Sequence, residues 1–376
     1  MIKLIILLLL LLFSLLTIFR APTNLLWYLS ILVTEFSWVF IVLILLLFFW
    51  PAMPPQYAKA NMLVGIAAIA FFSLPTLQGW WLSRQLESKF NAAFDIGNVT
   101  TKKLSFNPFH FLTGINKPKI PHKSFVYDAV HALSLDFYAA QLPGMRPCVV
   151  VIHGGSWAAG DSRQLPELNW ELARAGYHVA SINYRLAPVH RYPAPLQDVQ
   201  AALRYLQQKA AELSLDKNRF VLLGRSAGGQ IALSAAYTLY DPTIKAVIDF
   251  YGPTDMVWGY ENPTNPLVLD SRKIMEDYLG GTLKLKPEQY IHSSATETVT
   301  SKAPPTLMIY AENDPLVSPR HGTRLSVKLK AIGIPHFELY LPWATHGFDY
   351  TLNGPGGQLS TWTVNAFLEW VFNDDL

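Results

Sequence analysis

Residues 219–229 read RFVLLGRSAGG. After Arg219, residues 220–223 are a short apolar run closed by a glycine, the pattern of a strand buried on both faces. The next six, Gly224-Arg225-Ser226-Ala227-Gly228-Gly229, carry the spacing G-x-S-x-G, and residues 227–239 read as a helix. Strand, sharp turn and helix in that order present Ser226 at the carboxyl edge of a sheet. The glycines have a physical reason: strand and helix approach closely, and the serine backbone is strained. Alone, five residues of this kind occur often by chance, and a glycine-rich turn at a helix start would read the same way.

The flanking sequence supplies the context. Strands are predicted at 123–129, 132–139, 147–152, 178–183, 245–250, 305–311 and 336–341, and further helices at 164–175, 196–213, 317–332 and 359–373. Strands alternating with helices of this length predict an α/β class with a mostly parallel sheet and helices on both faces.

Three more signals fall at predicted strand ends. His153-Gly154-Gly155-Ser156-Trp157 follows strand 147–152. Two glycines there let backbone N–H groups point into a cavity, where an acyl-transfer site needs donors for a developing oxyanion. A tight turn with His153 in the core is the plainer reading. Asn313-Asp314-Pro315 follows strand 305–311, with Glu312 as a competing acid, and Asp314 could equally cap the next helix. Thr345-His346-Gly347-Phe348 follows strand 336–341 and holds the last of ten histidines. Ser226, Asp314 and His346 come in the order nucleophile, acid, histidine, separated by 88 and 32 residues. Each sits on the edge that open α/β sheets use for ligands.

With these motifs in hand, residues 122–376 resemble the α/β-hydrolase superfamily, especially its hormone-sensitive-lipase-like esterase branch. The resemblance is carried by His153-Gly154-Gly155, Asn183–Pro188, Tyr192–Pro195 with Asp198, Gly224–Gly228, Tyr251–Asp255, Asn313–Val317 and His346-Gly347-Phe348. Ser156-Trp157 stands where that branch has a third glycine, which looks more like the HGGxW form of formamidase-like and small-ester hydrolases. The branch's usual capping helices are replaced by a hydrophobic N-terminus. The resemblance implies Ser226 as nucleophile, His346 as base and acid, Asp314 as its partner, and an oxyanion hole from the N–H groups of Gly154, Gly155 and Ala227. It implies no metal and no organic cofactor. Trp157 is a candidate for the substrate pocket, at even odds with simple packing. Arg225 either sets electrostatics at the nucleophile or is solvated. Asp198 is expected to order the 183–188 loop, Asp255 to serve as a turn residue, and residues 256–300 to form a small lid.

The N-terminus has a different composition. Residues 1–83 hold four charges, Lys3, Arg20, Glu35 and Lys59, against 15% charged residues in the chain as a whole. Apolar runs at 2–19, 25–50 and 62–82 predict an α-helical transmembrane region of three helices. Trp27, Trp50, Trp80 and Trp81 lie at run ends, where interfacial aromatics gather. A cleaved signal peptide is the competing reading, but Arg20-Ala21-Pro22-Thr23 is no cleavage site. Glu35, near the middle of the second run, is expected to be protonated or to face a neighbouring helix or an oligomer partner. Three spans would place Lys3 and Lys59 on one side and Arg20, Arg84, Lys89, Lys102 and Lys103 on the other, with the catalytic domain in the cytoplasm; two spans invert this. Residues 84–121 read as a juxtamembrane linker containing the sequon Asn98-Val99-Thr100. Leu82, Leu86, Phe90 and Phe94 recur there as one face of a short amphipathic helix.

Composition sets the remaining bounds. A net charge of +3 is too small for a dedicated nucleic-acid binder, and a single cysteine, Cys148, excludes a disulfide framework or a cysteine zinc site. The expectation is a multi-pass membrane enzyme acting on small-molecule or lipid esters among membrane lipids. An amidase, formamidase or acyltransferase on the same triad is the alternative, and a non-catalytic membrane interaction protein comes third.

Overall fold

The computed structural model describes residues 2–50, 55–95, 104–110 and 120–372. The sequon at 98–100, Lys102 and Lys103 lie outside the described residues.

Eight strands form one sheet: β1 (Lys123–Asp128), β2 (Leu133–Tyr138), β3 (Arg146–Ile152), β4 (His178–Ile182), β5 (Leu215–Arg225), β6 (Ile244–Phe250), β7 (Thr306–Ala311) and β8 (His336–Leu341). Their order is β1-β2-β4-β3-β5-β6-β7-β8. β2 pairs antiparallel with β1 and with β4, and the other neighbours are parallel. The central strands are buried along almost their whole length. Their continuous Val, Ile and Leu runs suit a sheet covered on both faces.

The helices, in chain order, are α1 (Ile2–Ser14), α2 (Asn24–Glu35), α3 (Ser37–Phe49), α4 (Ala58–Ala93), α5 (Pro166–Arg174), α6 (Ala194–Gln208), α7 (Ala210–Leu213), α8 (Ala227–Thr238), α9 (Met256–Glu261), α10 (Ser271–Leu279), α11 (Pro287–Ser293), α12 (Ala295–Thr298), α13 (Arg320–Ala331) and α14 (Pro355–Phe372). The single helix expected over 196–213 is broken at Lys209 into α6 and α7. The stretch 256–300 carries α9 to α12 and supplies one wall of the cavity described below.

The N-terminal helices depart from three straight spans. Among the described residues, α4 alone is long and apolar enough to cross a membrane as one helix. α2 and α3 qualify only together, and they are bent by 81° at Phe36. The bend has local causes. Ser30 Oγ and Thr34 Oγ1 donate back to the carbonyls of Trp27 (2.7 Å) and Ser30 (2.8 Å), a pattern that bends helices. The buried Glu35 then leaves the helix axis for α14, where its carboxylate accepts from Gly356 N at 2.9 Å. Helix α1 with its following 3₁₀ turn ends at Thr17 and reaches roughly 24 Å, short of a hydrocarbon core of about 30 Å. The described helices therefore offer one span, or two with the bent pair counted, in place of three, and the cytoplasmic orientation that rested on three spans is left without that support.

Helix α4 runs through Pro75 and across residue 83 without a break. Leu82, Leu86, Phe90 and Phe94 are buried in the core of the sheet domain. Phe90 meets Phe337 and Trp362 edge-on at 5.3 and 5.9 Å, and Phe94 lies 4.1 Å from Trp370. The amphipathic face expected in the juxtamembrane linker is thus the end of α4, and up to Phe94 it is a packed part of the domain.

Candidate active site

Ser226 stands between β5 and α8 with φ 53° and ψ −120°. Its N–H donates to Phe250 O (2.8 Å) and its carbonyl accepts from Gly229 N (2.8 Å), so the strained turn is held from both sides. The close approach anticipated from the glycines is present: a Cβ on Gly228 would lie 2.2 Å from Ile152 O. That contact draws the start of α8 under the loop after β3. A Cβ on Gly154 would fall 3.3 Å from Ser226 Cβ.

The loops after β7 and β8 carry the other two residues. His346 Nδ1 and Asp314 Oδ2 are 2.6 Å apart, and both side chains are buried. Asp314 Oδ1 accepts from Leu316 N (2.7 Å) and Val317 N (2.9 Å), so the carboxylate orders its own turn as well as the imidazole. Glu312, the competing acid, is exposed, and its backbone carbonyl accepts from Arg20. The Tyr251 ring lies 4.3 Å from the His346 ring. Tyr251 directly follows Phe250, whose carbonyl holds Ser226 N. The end of β6 therefore joins the serine turn to the histidine loop.

The three expected oxyanion donors separate. Gly154 N–H donates to Gln164 Oε1 at 2.7 Å and is engaged. The N–H groups of Gly155 and Ala227 have no hydrogen-bond partner among the described residues. Gly155 has φ +121°, and a Cβ there would lie 2.1 Å from Ala159 O, so only glycine fits. His153 is buried and stacked on Tyr184 at 4.3 Å. Burial pushes its pKa down, consistent with a core histidine.

A cavity of about 530 Å³ opens over Ser226. Trp157, Trp258, Val268 and Met275 line it, as does Arg20–Pro22 from the N-terminal unit. Trp157 is both lining and packing: it stacks on Tyr278 at 4.4 Å and donates to Gln230 Oε1 at 2.9 Å. His321, also in the wall, is pushed down to about 4 by burial and is neutral at ordinary pH.

Arg225 is not solvated. It is buried, and its Nε meets Asp349 Oδ2 at 2.5 Å. Tyr251 Oη donates to the other oxygen of Asp349. The residue beside Ser226 thus ties the serine turn to the histidine loop. Asp198 pairs with Arg185 at 2.7 Å and orders the 183–188 loop. Asp255 caps α9 and pairs with Arg324 at 2.7 Å. Sequence reasoning missed Gln164, Asp349 and the N-terminal wall. Asp349 lies only three residues past His346, which was the available signal; Arg20–Pro22 offered none.

The sheet order, with the serine, acid and histidine after β5, β7 and β8, defines an α/β-hydrolase fold. The Pyrobaculum calidifontis esterase superposes with a TM-score of 0.59 at 21% identity, covering 76% of this chain and 92% of that one. A family model described as BD-FAE matches residues 135–329, and the chain belongs to that family. Esterase LipC of Mycobacterium tuberculosis is 29% identical over 245 residues, 60% of this chain and 58% of LipC. The ethyl acetate hydrolase of Pseudomonas putida is 30% identical over 219 residues, 53% of this chain and 65% of that protein. The probable carboxylic ester hydrolase LipM of M. tuberculosis is 28% identical, with 51% of its length matched. The chain thus spans little more than half the length of several curated relatives.

Proposed function

We propose that the chain is a serine hydrolase that cleaves carboxylic esters at a membrane. The observation that carries the reading is the 2.6 Å His346–Asp314 bond, whose acid lines the same cavity as the strained Ser226. Ser226 Oγ attacks the ester carbonyl while His346 Nε2 takes its proton and passes it to the leaving alcohol. Asp314 fixes the tautomer with the proton on Nδ1 and stabilises the imidazolium. The N–H groups of Gly155 and Ala227 receive the oxyanion. Water, deprotonated by His346, then releases the acid and restores Ser226. The relatives named as esterases and ester hydrolases favour esters over amides as substrates.

The membrane part of the reading rests on exposed apolar side chains. Ile2, Leu12, Leu46, Phe49, Leu63, Ile66 and Trp81 all face outward on α1, α3 and α4. A soluble protein rarely leaves a large contiguous apolar surface uncovered. The polar seam of the same unit, Arg20 to Asn24, faces the catalytic domain instead. The substrates that fit this placement are lipophilic or bilayer-resident esters.

A serine-reactive fluorophosphonate tests the chemistry. The expected outcome is labelling of the full chain and none of Ser226→Ala; equal labelling of the two would sink the proposal. On a matched panel, faster cleavage of anilides than of esters would move the reading to an amidase. Co-flotation with liposomes tests the membrane part, and a chain that stays at the bottom of the gradient would refute it.

A further inference from the structure

We infer that the N-terminal apolar unit is part of the catalytic apparatus, and that Trp27 is a positioning residue for His346. The inference rests on the serine-hydrolase reading above and goes beyond it. Residues 17–35 touch both loops that carry triad members. On the acid loop, Arg20 Nε and Nη2 donate to Glu312 O at 3.3 and 3.1 Å, and Asn313 Nδ2 donates to Thr17 O at 3.4 Å. These residues immediately precede Asp314. On the histidine loop, Trp27 Nε1 donates to the backbone carbonyl of His346 itself at 3.0 Å. The two rings meet edge-on at 6.2 Å. Ile31 packs beside Gly347, and Glu35 holds Gly356 N in the first turn of α14, the helix that follows the same loop.

Trp27 cannot take a proton from the reaction, and its indole N–H is directed at a carbonyl, not at substrate. Its action is to fix the backbone of His346, and so the direction in which the imidazole leaves it. Asp314 fixes the ring from the other side. The helix bearing Trp27 starts at a Thr23 N-cap directly after the Arg20–Pro22 wall of the cavity. Wall, brace and apolar surface are therefore consecutive in one segment.

The test uses the full-length chain in detergent micelles, with p-nitrophenyl butyrate as substrate and rates normalised to sites titrated by fluorophosphonate. Trp27→Phe keeps an aromatic ring and removes the N–H. Replacement of Trp27 by 3-benzothienylalanine keeps the bicyclic shape and removes only the donor. Both are expected to lower kcat by about 3- to 10-fold with KM held within about twofold, since the lost bond orients the base and does not bind substrate. A parental kcat per titrated site in the isostere overturns the inference. So does a raised KM at unchanged kcat, which would make Trp27 a wall residue only. If the phenylalanine variant fails to fold, the isostere decides. Ser226→Ala runs alongside: residual turnover there would overturn the hydrolase reading itself, whereas an inactive Ser226→Ala beside a parental isostere would overturn only the bracing role.

Discussion

At the residue scale, each member of the proposed triad is ordered by neighbours outside it. Asp314 has one oxygen on two backbone N–H groups and the other on His346, so its rotamer has no freedom. Asp314→Asn keeps the shape but presents an amide to the imidazole and favours the wrong tautomer. We expect kcat to fall by about 10⁴-fold with folding intact, checked by steady-state kinetics and a thermal melt. Asp249 is a second buried carboxyl, behind the serine turn. It accepts from Gly252 N at 3.0 Å and meets Tyr310 Oη at 2.7 Å. Burial pushes its pKa from 3.8 up to about 7. Between these values the folded chain holds a proton that the unfolded chain has released. Its contribution is therefore full below about pH 4 and lost as pH rises through about 7. Asp249→Asn mimics the protonated acid: Oδ1 still accepts and Nδ2 donates to Tyr310. The melting temperature of Asp249→Asn relative to the parent should rise steadily from pH 4 to pH 7, and a constant difference would refute the assignment.

At the element scale, the serine turn and the histidine loop are joined through a buried ion pair. Arg225 leaves the end of β5, Asp349 follows the end of β8, and Tyr251 from the end of β6 completes the set. Removing one member leaves an uncompensated buried charge. Arg225→Met should destabilise the fold by about 3–5 kcal/mol in denaturant titrations. The double change Arg225→Met with Asp349→Leu should recover part of that loss, because a well-packed apolar pair leaves no charge behind. The same scale shows why motif reading stopped short. G-x-S-x-G and His153-Gly154-Gly155 are local backbone requirements, so they are written in adjacent residues. The Arg225–Asp349 pair joins positions 124 residues apart, and no local pattern announces it.

At the scale of the whole molecule, the apolar N-terminus is not a detachable anchor. Its bend at Phe36, the buried face of α4 and the Arg20–Pro22 wall all meet the sheet domain. A chain beginning at residue 104 would expose the surface that Leu82, Leu86, Phe90 and Phe94 cover. Losing these side chains removes roughly 1.5–3 kcal/mol of burial each. We expect that chain to aggregate or to show a small fraction of the active-site titre of the full chain. A monomeric, fully titrating fragment would show that the two parts are separable.

The residues by themselves determined the class of sheet, all eight strands, the turn that presents Ser226, and the two candidate acids and the histidine that stand at the strand ends. These follow from alternation, glycine placement and order, which act over a few residues at a time. Tertiary structure alone decided that Asp314 rather than Glu312 reaches His346, that Gly154 N–H is taken by Gln164, and that Arg225 is buried in a pair. It also turned three apolar runs into a bent unit packed on the loops after β7 and β8. Hydrophobicity records that a segment leaves water, but not whether lipid or protein receives it. That choice depends on the shape of the partner surface, which exists only once the chain has folded.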